Sequence, residues 1–439
     1  MPRLVLLLPL LCLSAAVALA GEGERAIPGT RVENTGATRN SPGPISVSPL
    51  DWPWWRGPQR NGMAYSEQKP PVRWSETENV IWSSPVPGRG HGTVIVVGDQ
   101  LFLATADEQA ETQSVLCYDR ETGKQLWKTQ IFEGGLTKKG NAKSTQASGS
   151  LACDGTRLFV NFLNRDAVHT TALDLEGRQL WQTKITDYVV HQGFGSSPAL
   201  YGPLVLVSAD NKGGGVVAGL NRKTGQIVWK NDRPSTPNYP SPIVLPIGGR
   251  DQLLMTGCNL VSSFAPLTGE KLWETEGATT ECVTSTVTDG RLIFTSGGYP
   301  KNHISAVVAD GSGKVEWENK TRVYVPSMFV REGHLYGVTD AGVACCWKAA
   351  TGEELWKERL GGTFSASPVP VGDVVYATNE AGRTYVFRAT PAGAEKLAEN
   401  TLGDETIATP VICGSRIYMR VAAQQDGKRQ ETLYCLGSR

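Results

Sequence analysis

An eight-bladed all-β ring, each blade a four-stranded antiparallel meander, is predicted by three observations. The first is a recurrent hairpin phrase. Thr122-Gly123-Lys124-Gln125-Leu126-Trp127 returns as Glu176-Gly177-Arg178-Gln179-Leu180-Trp181, Thr224-Gly225-Gln226-Ile227-Val228-Trp229, Thr268-Gly269-Glu270-Lys271-Leu272-Trp273, Ser312-Gly313-Lys314-Val315-Glu316-Trp317 and Thr351-Gly352-Glu353-Glu354-Leu355-Trp356. Copies spaced by roughly 40–55 residues mean an array of equivalent units. The second is a count of β-rich phrases that follow tight turns. They begin near Leu101, Leu158, Leu204, Leu253, Leu292, Leu335, Val374 and Ile417, one per blade. The third is a matched gap and spare. The last unit ends at Leu433-Tyr434-Cys435-Leu436, one strand short, while Asn79-Val80-Ile81-Trp82-Ser83-Ser84 resembles an outer strand and precedes the first blade. Pairing the two closes the ring and removes two exposed strand edges. The fold is therefore an eight-bladed β-propeller closed by an N-terminal strand.

The chain begins with an export signal, residues 1–20. Arg3 supplies the positive region, Leu4 to Leu13 the apolar run, and Ala18-Leu19-Ala20 the small-residue cleavage site before Gly21. The apolar run is short for a transmembrane helix, and no other stretch could span a membrane. Leu10 and Leu11 precede Cys12 where a lipidation signal wants small residues, so a periplasmic or secreted protein is expected. Residues 21–50, rich in Gly, Pro, Ser, Thr and Asn, read as a disordered linker. Residues 51–79 open with Trp52-Pro53-Trp54-Trp55, and three indoles so close together imply a leader docked on the propeller. The propeller takes residues 80–439.

Within each unit the order is constant. A small-polar-Pro phrase (Ser196-Ser197-Pro198, Pro240-Ser241-Pro242, Ala366-Ser367-Pro368, Ala408-Thr409-Pro410) leads to a turn such as Asp154-Gly155 or Gly372-Asp373. The second strand, a polar turn, the third strand, the Thr-Gly hairpin and a strand ending in Trp follow. The seventh hairpin, Pro391-Ala392-Gly393, is degenerate. Trp82, Trp127, Trp181, Trp229, Trp273, Trp317 and Trp356 need small neighbours to stack on. Cys117, Ala172, Gly219, Ser263, Cys346 and Cys435 hold the matching positions, a blade-to-blade docking pair.

Lys+Arg and Asp+Glu are both 43, which argues against a broad nucleic-acid surface. Export permits disulfides. Cys153 and Cys413 read as buried thiols, and Cys258 with Cys282 is the candidate disulfide, since their loops emerge on one face. Cys345-Cys346 lies in a strand, where neighbours point to opposite faces, so a bond between them is not expected.

The Thr-Gly-x-x-Leu-Trp hairpin with its small docking residue resembles the pyrroloquinoline-quinone (PQQ)-type propeller repeat of quinoprotein dehydrogenases and of the outer-membrane assembly factor BamB. Trp54-Trp55-Arg56-Gly57-Pro58, Asn61-Gly62, Val325-Pro326-Ser327 and Gly361 to Pro368 resemble a secreted bacterial subgroup of PQQ-like repeat proteins. The resemblance covers residues 51–439 and implies the fold rather than a cofactor. Quinoprotein dehydrogenases carry long insertions, an acidic base and a Ca²⁺ site. This chain is nearly all blade and lacks a Cys-x-x-Cys-His haem motif. No catalytic residue is carried over, no cofactor is expected, and a bound PQQ has no support from site residues.

A propeller binds at the loops that converge on its channel. The channel-mouth candidates are Arg89, His91, Lys143, Gln146, His191, Gln192, Asn238, Tyr239, Glu281, Tyr324, Phe364 and Glu405. His303 falls in a loop of the same kind. Lys138-Lys139 reads as a solvated pair. No close spacing of His and Glu supports a metal site. The expectation is a monomeric, non-catalytic scaffold that binds a protein or a small polar ligand. The alternatives are a PQQ-dependent oxidoreductase and a carbohydrate-binding propeller.

Overall fold

The computed structural model describes residues 43–138 and 140–438. The export signal and linker residues 21–42 lie outside the described residues. The described residues form thirty-two strands in eight four-stranded antiparallel sheets and no helix. Blades 1 to 7 span residues 95–133, 152–187, 199–233, 243–276, 287–319, 329–359 and 369–401. Blade 8 takes three strands from 411–436 and its outer strand from Val80–Val86, which pairs antiparallel with Lys428–Leu436. The expected closure is the one observed.

Each hairpin Trp joins two blades. Within its own blade it lies opposite the small residue of the third strand: Trp127 faces Cys117, Trp181 Ala172, Trp229 Gly219, Trp356 Cys346 and Trp82 Cys435. The small residue is thus a cross-strand partner rather than a neighbour in the next blade. It leaves room for the indole, since a Cβ on Gly219 would stand 2.4 Å from Trp229 Nε1. The next blade meets the indole with its hairpin Gly. A Cβ on Gly225 would stand 2.6 Å from the Trp181 ring, and the φ of +74° suits Gly there in any case. The indole N–H completes the joint on a carbonyl of the next blade: Trp82 to Arg120, Trp127 to Leu175, Trp181 to Arg222, Trp317 to Ala349 and Trp356 to Thr390. Trp273 is the exception and donates to Gln252 Oε1 of its own blade.

Blade 7 has Ala398 where the other outer strands carry Trp. Trp74 of the leader fills the gap. It stacks on Tyr376 with centroids 6.3 Å apart, as Trp127 meets Phe102 at 5.8 Å and Trp82 meets Tyr418 at 6.2 Å.

A second circle runs around the axis. The backbone N–H of each innermost strand donates to a hydroxyl of the next blade: Thr93 to Ser150, Ser150 to Ser197, Ser197 to Ser241, Ser285 to Ser327, Ser327 to Ser367 and Ser367 to Thr409, all at 2.9–3.0 Å. Two joints differ. Ser285 Oγ instead accepts the Trp55 indole N–H at 2.7 Å, and Thr93 Oγ1 donates to the Thr409 carbonyl at 3.4 Å. The small-polar-Pro phrase is therefore the inner joint of the ring, and its hydroxyl is the working atom.

The leader crosses one face of the ring. Trp52 bridges Val96 of blade 1, the Cys153 N–H of blade 2 donates to the Pro53 carbonyl, and Arg60 donates to the Leu200 carbonyl of blade 3. Ala64 bridges Val371 of blade 7, and the Ser415 N–H of blade 8 donates to Gln68 Oε1. Docking starts earlier than composition suggests: the Gly43 carbonyl accepts from Arg222, Ser46 N–H donates to the Asp154 carbonyl, and Ile45 and Val47 pack on the blade 2–3 core. Short apolar residues among the Gly and Ser suffice, because the partner surface is preformed.

Candidate functional site

The leader covers the turns between first and second strands, so the loops from one blade to the next open on the opposite face. Beneath that mouth lies an axial cavity of about 210 Å³. Its floor includes Trp55, its wall the hydroxyls of Ser150, Ser197, Ser241, Ser367 and Thr409, and its rim His91 and Tyr239.

The channel-mouth candidates divide into groups. His191, Glu281 and Tyr324 come from three different interblade loops and meet. His191 Nε2 lies 3.1 Å from Glu281 Oε1, and the Tyr324 hydroxyl lies 3.4 Å from Oε2. The Glu281 side chain is only 5% exposed, held by a bridge between its backbone and Tyr299. Burial, reinforced by the Glu281 charge, raises the pKa of Tyr239 and Tyr324, so both phenols stay protonated. Arg89 and Glu405 form a second group. Glu405 Oε1 accepts from Arg429 at 2.9 Å and has Arg89 4.0 Å away. Lys143 reaches from the loop before blade 2 to Glu380 in blade 7 at 2.7 Å, and Ser365 donates to the same carboxylate. Gln192 accepts from Asn141, and Gln146 donates to the Thr137 carbonyl.

Two candidates belong to the framework instead. Phe364 is buried against Tyr385 in the core between blades 6 and 7. Asn238 is buried and fully engaged: it donates to Asp210 Oδ2 and the Thr256 carbonyl and accepts the Cys282 N–H. His303 is not in a mouth loop either. It opens a strand, opposite Gly297, and is buried. Sequence position alone could not separate an inward-facing loop residue from one tucked under the neighbouring blade. Glu380 and Arg429 sit in a turn and a strand away from the small-polar-Pro phrase, whereas Ser365 directly precedes that phrase, beside Phe364, with no signal of its own.

The cysteines are structural. All eight described cysteines are free and buried. The candidate disulfide between Cys258 and Cys282 is not formed: Cys258 Sγ lies 3.5 Å from the Thr236 carbonyl, while Cys282 Sγ lies 3.7 Å from Thr279 Oγ1. Cys345 and Cys346 occupy a third strand of blade 6. Lys138 is exposed and Lys139 lies outside the described residues. Among the described residues no group of three or more His, Cys, Asp or Glu side chains could hold a metal ion, and no helix could cross a membrane.

Burial lowers the His303 pKa to about 4, against a small opposing pull from Glu318. The neutral ring is thus favoured by folding. Stability is full above the unfolded value near 6.5, falls as pH drops toward 4, and falls no further below it. The full loss is on the order of 3 kcal/mol. Urea unfolding at pH 7 and pH 4.5 checks this: His303→Asn should flatten the decline, and an unchanged slope would refute the assignment.

A family model described as Outer membrane protein assembly factor BamB matches residues 63–130, 111–326 and 300–392. Outer membrane protein assembly factor BamB of Burkholderia pseudomallei (strain K96243) is 25% identical over 365 residues, 79% of this chain and 86% of the relative. Polyvinylalcohol dehydrogenase of Sphingopyxis sp. (strain 113P3) is 25% identical over 358 residues, 76% of this chain but 47% of the relative, so the chain spans about half of that protein. Among solved structures, a europium-containing methanol dehydrogenase superposes with a TM-score of 0.63 at 13% identity, covering 89% of this chain and 98% of its own. That likeness is one of fold.

Proposed function

This chain belongs to the outer membrane protein assembly factor BamB family, and on that premise we propose that it is an exported, non-catalytic propeller that binds a partner protein at its open mouth. The observation that carries the reading is the inequality of the two faces. One is covered by the chain's own leader; the other presents half-exposed His191, Tyr324, Arg89 and Glu405 around the axis. These side chains pair across different loops, which fixes their geometry before any partner arrives and lowers the ordering cost of binding. Export is supported by the N-terminal sequence pattern and by the outer-membrane role named for the relative.

Photocrosslinkers placed at Gln192 at the mouth and Leu126 on the outer rim test this. A partner band is expected from position 192, weakened about ten-fold by Tyr324→Ala in cis, equivalent to ~1.4 kcal/mol. Crosslinks from position 126 alone would refute it.

The oxidoreductase reading is favoured by the match to a dehydrogenase. Two observations weigh against a quinone paired with a divalent cation. The described residues lack a metal-holding group, and the axial cavity of about 210 Å³ is smaller than the roughly 300–1,000 Å³ usual for cofactor sites. Titration with PQQ and Ca²⁺ discriminates: stoichiometric binding with dye reduction by an alcohol would replace the scaffold reading.

A further inference from the structure

The hydroxyls of the inner ring use only part of their hydrogen-bonding capacity. Ser150, Ser197, Ser241, Ser367 and Thr409 each line the axial cavity, and each oxygen accepts a backbone N–H from the preceding blade. Having accepted one N–H, each hydroxyl keeps its O–H donor and one lone pair. Among the described residues none of the five donates to a protein acceptor. Five hydroxyls from five blades therefore line one axial cavity with their donors uncommitted. The rest of the lining sharpens the preference. It holds no carboxylate, its titratable groups are His91 and Tyr239, and Val283, Val325, Ile407 and Trp55 form apolar walls. Such walls strengthen a hydrogen bond to a charged acceptor, and the lining offers an ammonium no counter-charge.

We propose that the axial cavity is a binding site for a compact carboxylate, held by this ring of hydroxyl donors. A carboxylate offers about four lone-pair positions and so can engage several donors together. The cavity volume limits the ligand to a small acid or to the terminal carboxylate of a chain entering from the mouth. The site lies below the partner surface proposed above and goes beyond it: crosslinking at the mouth tests one, and small-acid titration the other.

The full-length protein is titrated with acetate and with neutral acetamide at constant ionic strength and followed by saturation-transfer NMR. Acetate should saturate at a concentration at least about ten-fold below acetamide, the charge-assisted bonds being the stronger. Val283→Phe fills the cavity without touching the ring and should abolish saturation. Ser197→Ala/Ser241→Ala removes two donors and should weaken acetate about ten-fold, with melting curves confirming that the variant is folded. Triglycine and its C-terminal amide separate the two sources: an acid that binds more tightly than acetate, beside a silent amide, assigns a chain terminus, and weaker triglycine assigns a free small acid. Equal responses to acetate and acetamide, or an acetate response unchanged in the double variant, would overturn the proposal.

Discussion

Trp229→Ala is expected to destabilise the propeller by about 3–5 kcal/mol, the range for removing a large buried aromatic. The indole is 8% exposed. It lies across Gly219 in its own blade, presses on Gly269 of the next, and donates to the Pro266 carbonyl at 3.2 Å. Deletion opens a cavity at a joint between two blades and leaves that carbonyl without its donor, so transfer, cavity and hydrogen-bond costs add. Gly269→Ala attacks the same joint from the other side. A Cβ there would stand 2.5 Å from the Trp229 ring, at a φ of +73°. Because both substitutions break one contact, the double variant should cost less than the sum of the singles. Urea unfolding of the four proteins measures the cycle. A loss below about 1 kcal/mol for Trp229→Ala would show that the joint is not needed.

Arg420→Met is expected to cost about 3–5 kcal/mol, because it strands one partner of a buried ion pair. Arg420 and Glu431 are 5% and 2% exposed and pair at 2.5 Å within blade 8. Arg420 also donates to the Ala104 carbonyl at 2.7 Å and the Thr105 hydroxyl at 3.4 Å in blade 1. The side chain thus spans the joint where the last blade meets the first. Glu431 would keep Arg429 and the Gly90 N–H, which places the expected cost toward the lower end. Replacing both, Arg420→Met/Glu431→Leu, should recover part of the loss, since the uncompensated charge is gone. No recovery would mean that the contacts to blade 1, rather than the charge, dominate. Thermal and urea melts of the three proteins decide between them.

The fold was legible because it repeats. Gly at the hairpins, Trp at the outer strands and the spare strand at Val80–Val86 recur or pair by count, and a pattern seen many times outweighs local ambiguity. The inner ring was half legible. Ser197, Ser241, Ser367 and Thr409 carry a following Pro that marks them, whereas Ser150 and Ser327 do the same work without one and Thr93 and Ser285 hold variant joints. The mouth was least legible, because its residues do not repeat. Glu281 and His191 were named singly, but their contact depends on how two loops fold across a gap that sequence spacing does not report. Phe364 and Asn238 share loop positions with true rim residues and differ only in which way the loop turns. Trp74 had no signal at all, since its role is set by the Ala398 that blade 7 carries instead of Trp.

The strand that closes the ring, Val80–Val86, is made before the seven other blades, and its partner, Lys428–Leu436, after them. Seven blades can form while the eighth has its outer strand but not yet the three strands it joins. Throughout that interval the leader indoles and both unpaired edges wait, and an apolar edge that waits is open to the wrong partner. Closure of the ring is thus a late event: Val80–Val86 stays without its native partner until Lys428–Leu436 has emerged. A chain that stops before Lys428 leaves Val80–Val86 unemployed.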